Sequence, residues 1–211
     1  MNHQFNLPQS AIVNKFVPKL RFYEQAAVNT KLKQSFQQVI NRITWKYKLA
    51  EETIGIDKTD TVEEIQIFAI ELKKKQIPKK ALQLINKTIP YPVLYIFVFE
   101  DDFAYGITLK EKRTTYFSDW NKELEFDFNG LNLEKVYQNL VKQFITKIDT
   151  SPEQGFEHII ERDKQAKALE REIQILENKI RREKQFNKKV ELNQQLHQKR
   201  EAYQQLIELD E

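Results

Sequence analysis

Val93-Leu94-Tyr95-Ile96-Phe97-Val98-Phe99 is the longest apolar run in the chain. It is far short of the ~20 residues needed to cross a bilayer. Pro90 and Pro92 stand before it and Asp101-Asp102 after it. A short apolar run between turn signals reads as a strand buried on both faces, hence a central one. A central strand needs neighbours, and the flanking sequence offers them. After a tight turn at Asp101-Asp102, Phe103–Lys110 reads as an antiparallel partner. On the other side, a helix from about Pro78 to Thr88 carries Leu82 and Ile85, with Pro in its first turn. Before it, Glu64–Lys73 is a second strand, rich in Ile and Phe, and Ile43–Leu49 alternates apolar and polar residues as a half-buried strand.

The rest of the body follows from the same signals. Ser10 reads as the N-cap of a short helix, Ala11–Phe16, stopped by Pro18. Asn29-Thr30 precede an amphipathic helix, Lys31–Arg42, with Leu32, Phe36, Val39 and Ile40 on one face. A loop with Gly55, Asp57 and Asp60 precedes the Glu64 strand. Thr114–Phe117 and Leu124–Phe128 are candidate edge strands. Beyond Gly130, Asn132 caps a helix bearing Val136, Leu140, Phe144 and Ile148.

Thr150-Ser151-Pro152 and Gly155 mark a boundary. Beyond Gly155 there is neither Gly nor Pro, and the composition is that of helix. Ala166, Leu169, Ile173, Leu176 and Ile180 form one 3-4 seam, and Leu192, Leu196, Tyr203 and Leu206 a second. The two are out of phase across Arg181–Lys189. Two arrangements fit. In one the tail folds back at Gln185–Asn187 as a hairpin with arms about 35 Å long. In the other a continuous helix of about 75 Å carries a phase shift and forms a homodimer. The hairpin is the expectation, since arms of nearly equal length let one chain bury both seams. The expected fold class is therefore α+β. It comprises a small mixed or antiparallel sheet of about four to six strands with flanking helices over residues 1–150, then a helical hairpin (an antiparallel coiled coil) over 151–211.

The chain has 211 residues, 40% hydrophobic and 31% charged, with a net charge of +3. Such a small excess does not by itself demand nucleic acid, so local patches must carry that argument. No cysteine is present. Disulfides, thiolate nucleophiles and Cys-ligated zinc are excluded. No secretory leader is visible at Met1–Phe5, so a cytoplasmic, membrane-free protein is expected. His3, His158 and His197 lack metal-ligand spacing. Four glycines supply no dinucleotide fingerprint, P-loop or nucleophile elbow. No cofactor and no bound metal are expected.

Three constellations remain. Glu71 and Lys73, two residues apart on one strand face, match the acid and lysine of PD-(D/E)xK nucleases. There an acid binds a divalent ion and a lysine activates water. Asp57 or Asp60 would have to supply the second ligand, because the preceding strand offers no acid. A solvated strand end explains the same residues more simply. Lys73, Lys74, Lys75, Lys79 and Lys80 cluster at a strand-to-helix junction, where phosphate is one candidate ligand and solvation the plain alternative. Arg181, Arg182, Lys184, Lys188 and Lys189 surround Phe186 between the two seams. Nucleic-acid backbone or a protein partner could meet them, with Phe186, Leu192 and Leu196 as partner contacts. The plain alternative packs Phe186 into the hairpin turn. Trp45, Tyr47, Tyr116, Phe117 and Trp120 read most simply as core and sheet-face aromatics, with an exposed aromatic strand face that binds single strands as the alternative.

Arg182-Glu183-Lys184-Gln185-Phe186-Asn187-Lys188-Lys189-Val190-Glu191-Leu192-Asn193 resembles the tail signature of a bacterial family, domain of unknown function 4391. Leu7-Pro8-Gln9-Ser10, Val13-Asn14-Lys15, the Ile65–Lys73 strand and Ile89-Pro90 resemble it in the same order. The resemblance implies gene neighbourhoods with restriction–modification, helicase and methyltransferase genes, and brings no catalytic residue set. The expectation is a non-enzymatic adaptor of a bacterial defence assembly. Its expected protein partner is a helicase, methyltransferase or nuclease subunit, and nucleic acid is a further candidate. The alternative is a metal-dependent nuclease using Glu71, Lys73 and Asp60.

Overall fold

The computed structural model describes residues 5, 7–24, 30–109, 114–126, 132–151 and 154–208. It divides into two compact units, Met1–Phe144 and Ile145–Glu211.

The first unit is built on a six-stranded mixed sheet in sequential order, β1 (Ile12–Phe16), β2 (Ile40–Ala50), β3 (Glu64–Leu72), β4 (Val93–Phe99), β5 (Asp102–Leu109) and β6 (Thr114–Phe117). Every neighbouring pair is antiparallel except β3 and β4. That parallel pair needs a crossover, which the helix Lys79–Thr88 provides. The apolar run is thus a central strand, as its composition predicts. Its alternate residues Val93, Tyr95 and Phe97 join Phe68, Ile70, Leu82 and Ile85 in one buried cluster. Leu94 and Ile96 point to the other face and are equally buried.

Helices cover both faces. In chain order they are α1 (Leu20–Glu24), α2 (Thr30–Val39), α3 (Glu51–Ile54), α4 (Lys79–Thr88) and α5 (Leu133–Lys142). Helix α4 packs with α1 and α2, while α5 meets β3. Asn132 caps α5 as expected, its Oδ1 accepting the Lys135 amide at 3.0 Å. The Tyr137 hydroxyl fastens α5 to β5 by donating to the Thr108 carbonyl at 3.1 Å. Gly106 lies between the rings of Phe97 and Phe117, where a Cβ would approach each to 3.0 Å. Gly55 ends α3 at φ 68°, the left-handed conformation that favours glycine.

Some expectations change. The helix predicted at Ala11–Phe16 is instead a 3-10 turn, Gln9–Ala11, followed by β1. Ile12 and Val13 favour extended backbone, and the edge of β2 supplies the hydrogen bonds. Ser10 does not cap a helix; its hydroxyl donates to the Thr53 carbonyl at 2.5 Å. The helix predicted to reach Arg42 stops at Val39, and Ile40 already pairs with Leu72. The hairpin turn falls one residue earlier than predicted, at Glu100-Asp101, with Glu100 at φ 53°. Leu124–Phe126 forms no strand, and the remainder of that predicted segment lies outside the described residues. So do Asn29, Lys110, Gly130 and the side chain of Leu32.

The second unit is a pair of helices, α6 (Phe156–Arg182) and α7 (Phe186–Ile207), joined by Glu183–Gln185. Their contacts run antiparallel. Arg162 donates to the Leu206 carbonyl at 2.8 Å, Tyr203 to Glu170 at 2.8 Å, and Arg200 to Glu177 at 2.8 Å. Lys199 pairs with Glu172 at 2.6 Å. The hairpin is therefore the arrangement adopted, and one chain fills both seams. Ala166, Leu176 and Leu196 are buried between the helices, and Leu169, Ile173, Ile180, Leu192, Tyr203 and Leu206 are half-buried. Among the described residues, no helix is long and apolar enough to cross a membrane.

Candidate functional site

Glu71 lies near the end of β3. Alternation puts it on the face of Ile65, Ile67 and Ala69, as the sequence implies. Lys73 follows immediately, its amide donating to the Val39 carbonyl at 2.8 Å. The parallel β3–α4–β4 crossover that follows also agrees with the sequence reading. The second metal ligand does not assemble. Across the strand from Glu71 stands Arg42, and the Glu71 carboxylate accepts a hydrogen bond from the Asn41 amide at 3.3 Å. An amide hydrogen and a guanidinium cannot stand in for the carboxylate oxygens a divalent cation prefers. Asp57 and Asp60 precede β3, at its opposite end. The strand rise puts Glu64, where β3 begins, about 20 Å from Glu71. Among the described residues, no three His, Asp or Glu side chains gather in metal-binding array.

The five lysines after β3 are all exposed but not equivalent. Lys75 pairs with Asp102 at 2.7 Å and lies 5.4 Å from the Trp120 ring centre. Asn121 also donates to Asp102, at 2.7 Å. Hydrogen bonds from Lys75 and then Asn121 hold the Asp102 carboxyl below its ordinary range. Lys79 sits over Phe117 at 5.5 Å. These two lysines are thus engaged by the protein's own groups. Lys73, Lys74 and Lys80 make no ion pair among the described residues. The aromatics behave as predicted: Tyr47 and Tyr116 are buried, and Trp45, Phe117 and Trp120 pack against the core.

The tip of the hairpin is the second candidate. Glu183, the one acid between Lys179 and Lys189, is consumed locally. Its Oε1 accepts the amides of Lys184 and Gln185, each at 2.8 Å. Those bonds, led by Gln185, together with nearby Lys188 hold its carboxyl below the ordinary value. It thereby satisfies amides in the turn that leads into α7. Lys179, Arg181, Arg182, Lys184, Lys188 and Lys189 are exposed and make no ion pair among the described residues. Phe186 opens α7 with 78% of its surface exposed, so it does not pack into the turn. Val190, one turn on, is 40% exposed. Of the other predicted partner contacts, Leu192 is half-buried, and Leu196, 7% exposed, faces the seam.

The sequence reading missed Asn41 and Arg42 because it placed them on a helix. It missed the role of Glu183 because a lone acid in a basic run carries no spacing signal. Phe16 was hidden by the helix predicted around it.

No curated protein and no solved structure matches this chain. A family does match, over residues 5–202. The segments that resemble it, from Leu7 to Asn193, fall inside that match. The chain belongs to the family described as Domain of unknown function (DUF4391).

Proposed function

We propose that the protein is a non-enzymatic adaptor whose helical hairpin is its interaction element. Its protein partner is a helicase, methyltransferase or nuclease subunit of a cytoplasmic bacterial defence assembly. The observation that carries this reading is the tip: an aromatic ring 78% exposed amid cations that make no ion pair among the described residues. Phe186 and Val190, one turn on and 40% exposed, form an apolar spot of the kind that an aromatic anchor presents at the centre of an interface. The surrounding charges suit an acidic rim or nucleic-acid backbone. A coiled-coil role supports the same use, since a seam already filled within one chain leaves the tip free for a different molecule. Pull-down of the tagged full chain, with and without nuclease treatment, tests this. Protein partners that survive the treatment support the adaptor. Nucleic acid alone, with no protein retained, contradicts it.

A metal-dependent nuclease is the second reading. It is favoured by Glu71 and Lys73 at the end of a strand that crosses over to a parallel neighbour. The amide and guanidinium beside Glu71 weigh against it. Cleavage of DNA or RNA with added divalent metal, lost in Glu71→Ala, would establish it. Equal activity in both proteins would remove it.

A further inference from the structure

We propose that the corner of the sheet where β1, β2 and β3 meet is a binding site for single-stranded nucleic acid, separate from the hairpin tip. Phe16 pairs with Thr44 and Arg42 with Glu71, so both side chains lie on one sheet face. Phe16 is 57% exposed although it belongs to a strand, and the Arg42 guanidinium sits 5.5 Å from its ring centre. Leu20, just beyond β1, is 59% exposed. A flat ring held beside a fixed guanidinium offers a base something to stack on and a phosphate a planar donor fork.

Positive charge outweighs negative at this corner, where Lys19, Arg42 and Lys73 stand against the one carboxylate of Glu71 among the described residues. Lys19 donates to the Ile40 carbonyl at 2.5 Å, and Ile40 pairs with Leu72, next to Lys73. Desolvation, and then the positive charge of Lys73, lower the Lys19 pKa. Neither lysine nor Arg42 pairs with a carboxylate among the described residues. Glu71, which faces Arg42 across the strands, accepts from Asn41 instead. An incoming phosphate would balance the excess positive charge, and it would relieve the repulsion between Lys19 and Lys73. An acidic peptide supplies charge at every acidic residue but a planar group only where it carries an aromatic side chain. A duplex keeps its bases stacked inside. A single strand supplies both groups.

The test uses the full chain with most of the tip's positive charge removed by Arg181→Ala, Arg182→Ala, Lys188→Ala and Lys189→Ala, so that failure of the hairpin reading cannot mask the result. Binding of a labelled oligothymidylate is then measured against salt. Adding Phe16→Ala should weaken binding about 5- to 150-fold, the loss of one stacked base, while Phe16→Trp should preserve it. Arg42→Ala should lower the salt slope by about 0.7, one phosphate contact on a single strand. Phe16 and Arg42 are both exposed, so these variants should keep the parent's melting temperature. Unchanged affinity in Phe16→Ala would overturn the proposal. So would polyglutamate binding with the same dependence on Phe16, which would assign the corner to an acidic protein segment.

Discussion

The sheet unit and the hairpin reach a folded state by different means. In the first, large side chains such as Tyr95, Phe97, Ile67 and Ile70 are wholly or almost wholly removed from water, and polar groups are few in the interior. In the second, the buried apolar residues of the two helices are Ile159, Ile160, Ala166, Leu176 and Leu196, and most of the seam is only half-buried. Much of the cross-helix contact is polar, through Glu170, Glu172, Glu177, Lys199, Arg200 and Tyr203. Apolar burial is insensitive to charge state, whereas exposed ion pairs are individually weak and screened by salt. The sheet should therefore behave as a rigid, pH-tolerant body, and the hairpin as an element that ambient conditions can loosen.

The largest expected effect lies in the sheet. Phe97→Ala removes a ring that contacts Tyr95 and Phe117 and should cost about 3–5 kcal/mol in chemical denaturation. A loss under about 1 kcal/mol would mean that the core is not packed around β4. Leu196→Ala, in the thinner seam, should cost about 2 kcal/mol, at the low end for a buried leucine. Its signature is a lower melting temperature of the helical circular-dichroism signal. A cost equal to that of Phe97→Ala would erase the contrast between the units.

Titration sharpens the contrast at smaller amplitude. Burial pushes the Glu170 carboxyl up, but hydrogen bonds from Lys147 and Tyr203 outweigh it and leave the pKa below the ordinary 4.5. A depressed carboxylate contributes stability above its unfolded pKa and loses it as pH falls through the folded one. Tyr203 shows the opposite sign. Desolvation, and then its bond to Glu170, raise the hydroxyl from 10.0 to about 12. That contribution is present below pH 10 and lost as pH rises through about 12. Hairpin melting should thus fall below the ordinary glutamate range and again above pH 10, with a plateau between. Glu170→Gln should flatten the acid limb, and an unchanged acid limb would contradict this assignment. The smallest stability effect belongs to Phe186→Ala, expected within about 0.5 kcal/mol of the parent because the residue is 78% exposed.

The legibility of the sequence divides along similar lines. Strong periodicity made β3, β4, α4 and α5 readable, and the phase break between two seams pointed to the hairpin. Segments whose conformation is set by a neighbour were not readable. Ile12–Phe16 becomes a strand only because β2 offers an edge. Val39-Ile40 switches from helix to strand without a Gly or Pro to mark it. At the candidate sites, Glu71 and Lys73 were visible from their spacing. Their chemistry was not, because Asn41 and Arg42 arrive from another strand. The basic tip was visible from composition, whereas the exposure of Phe186 depends on how the turn is built by Glu183.

The central claim is that the tip of the hairpin carries the interaction. Its most direct test is nuclease-treated pull-down with the parent chain, Phe186→Ala, and a control, Gln174→Ala, at an exposed position on α6. The parent and the control should retain the same protein partner, and Phe186→Ala should lose it while keeping the parent's melting temperature. Equal recovery with all three proteins would contradict the claim.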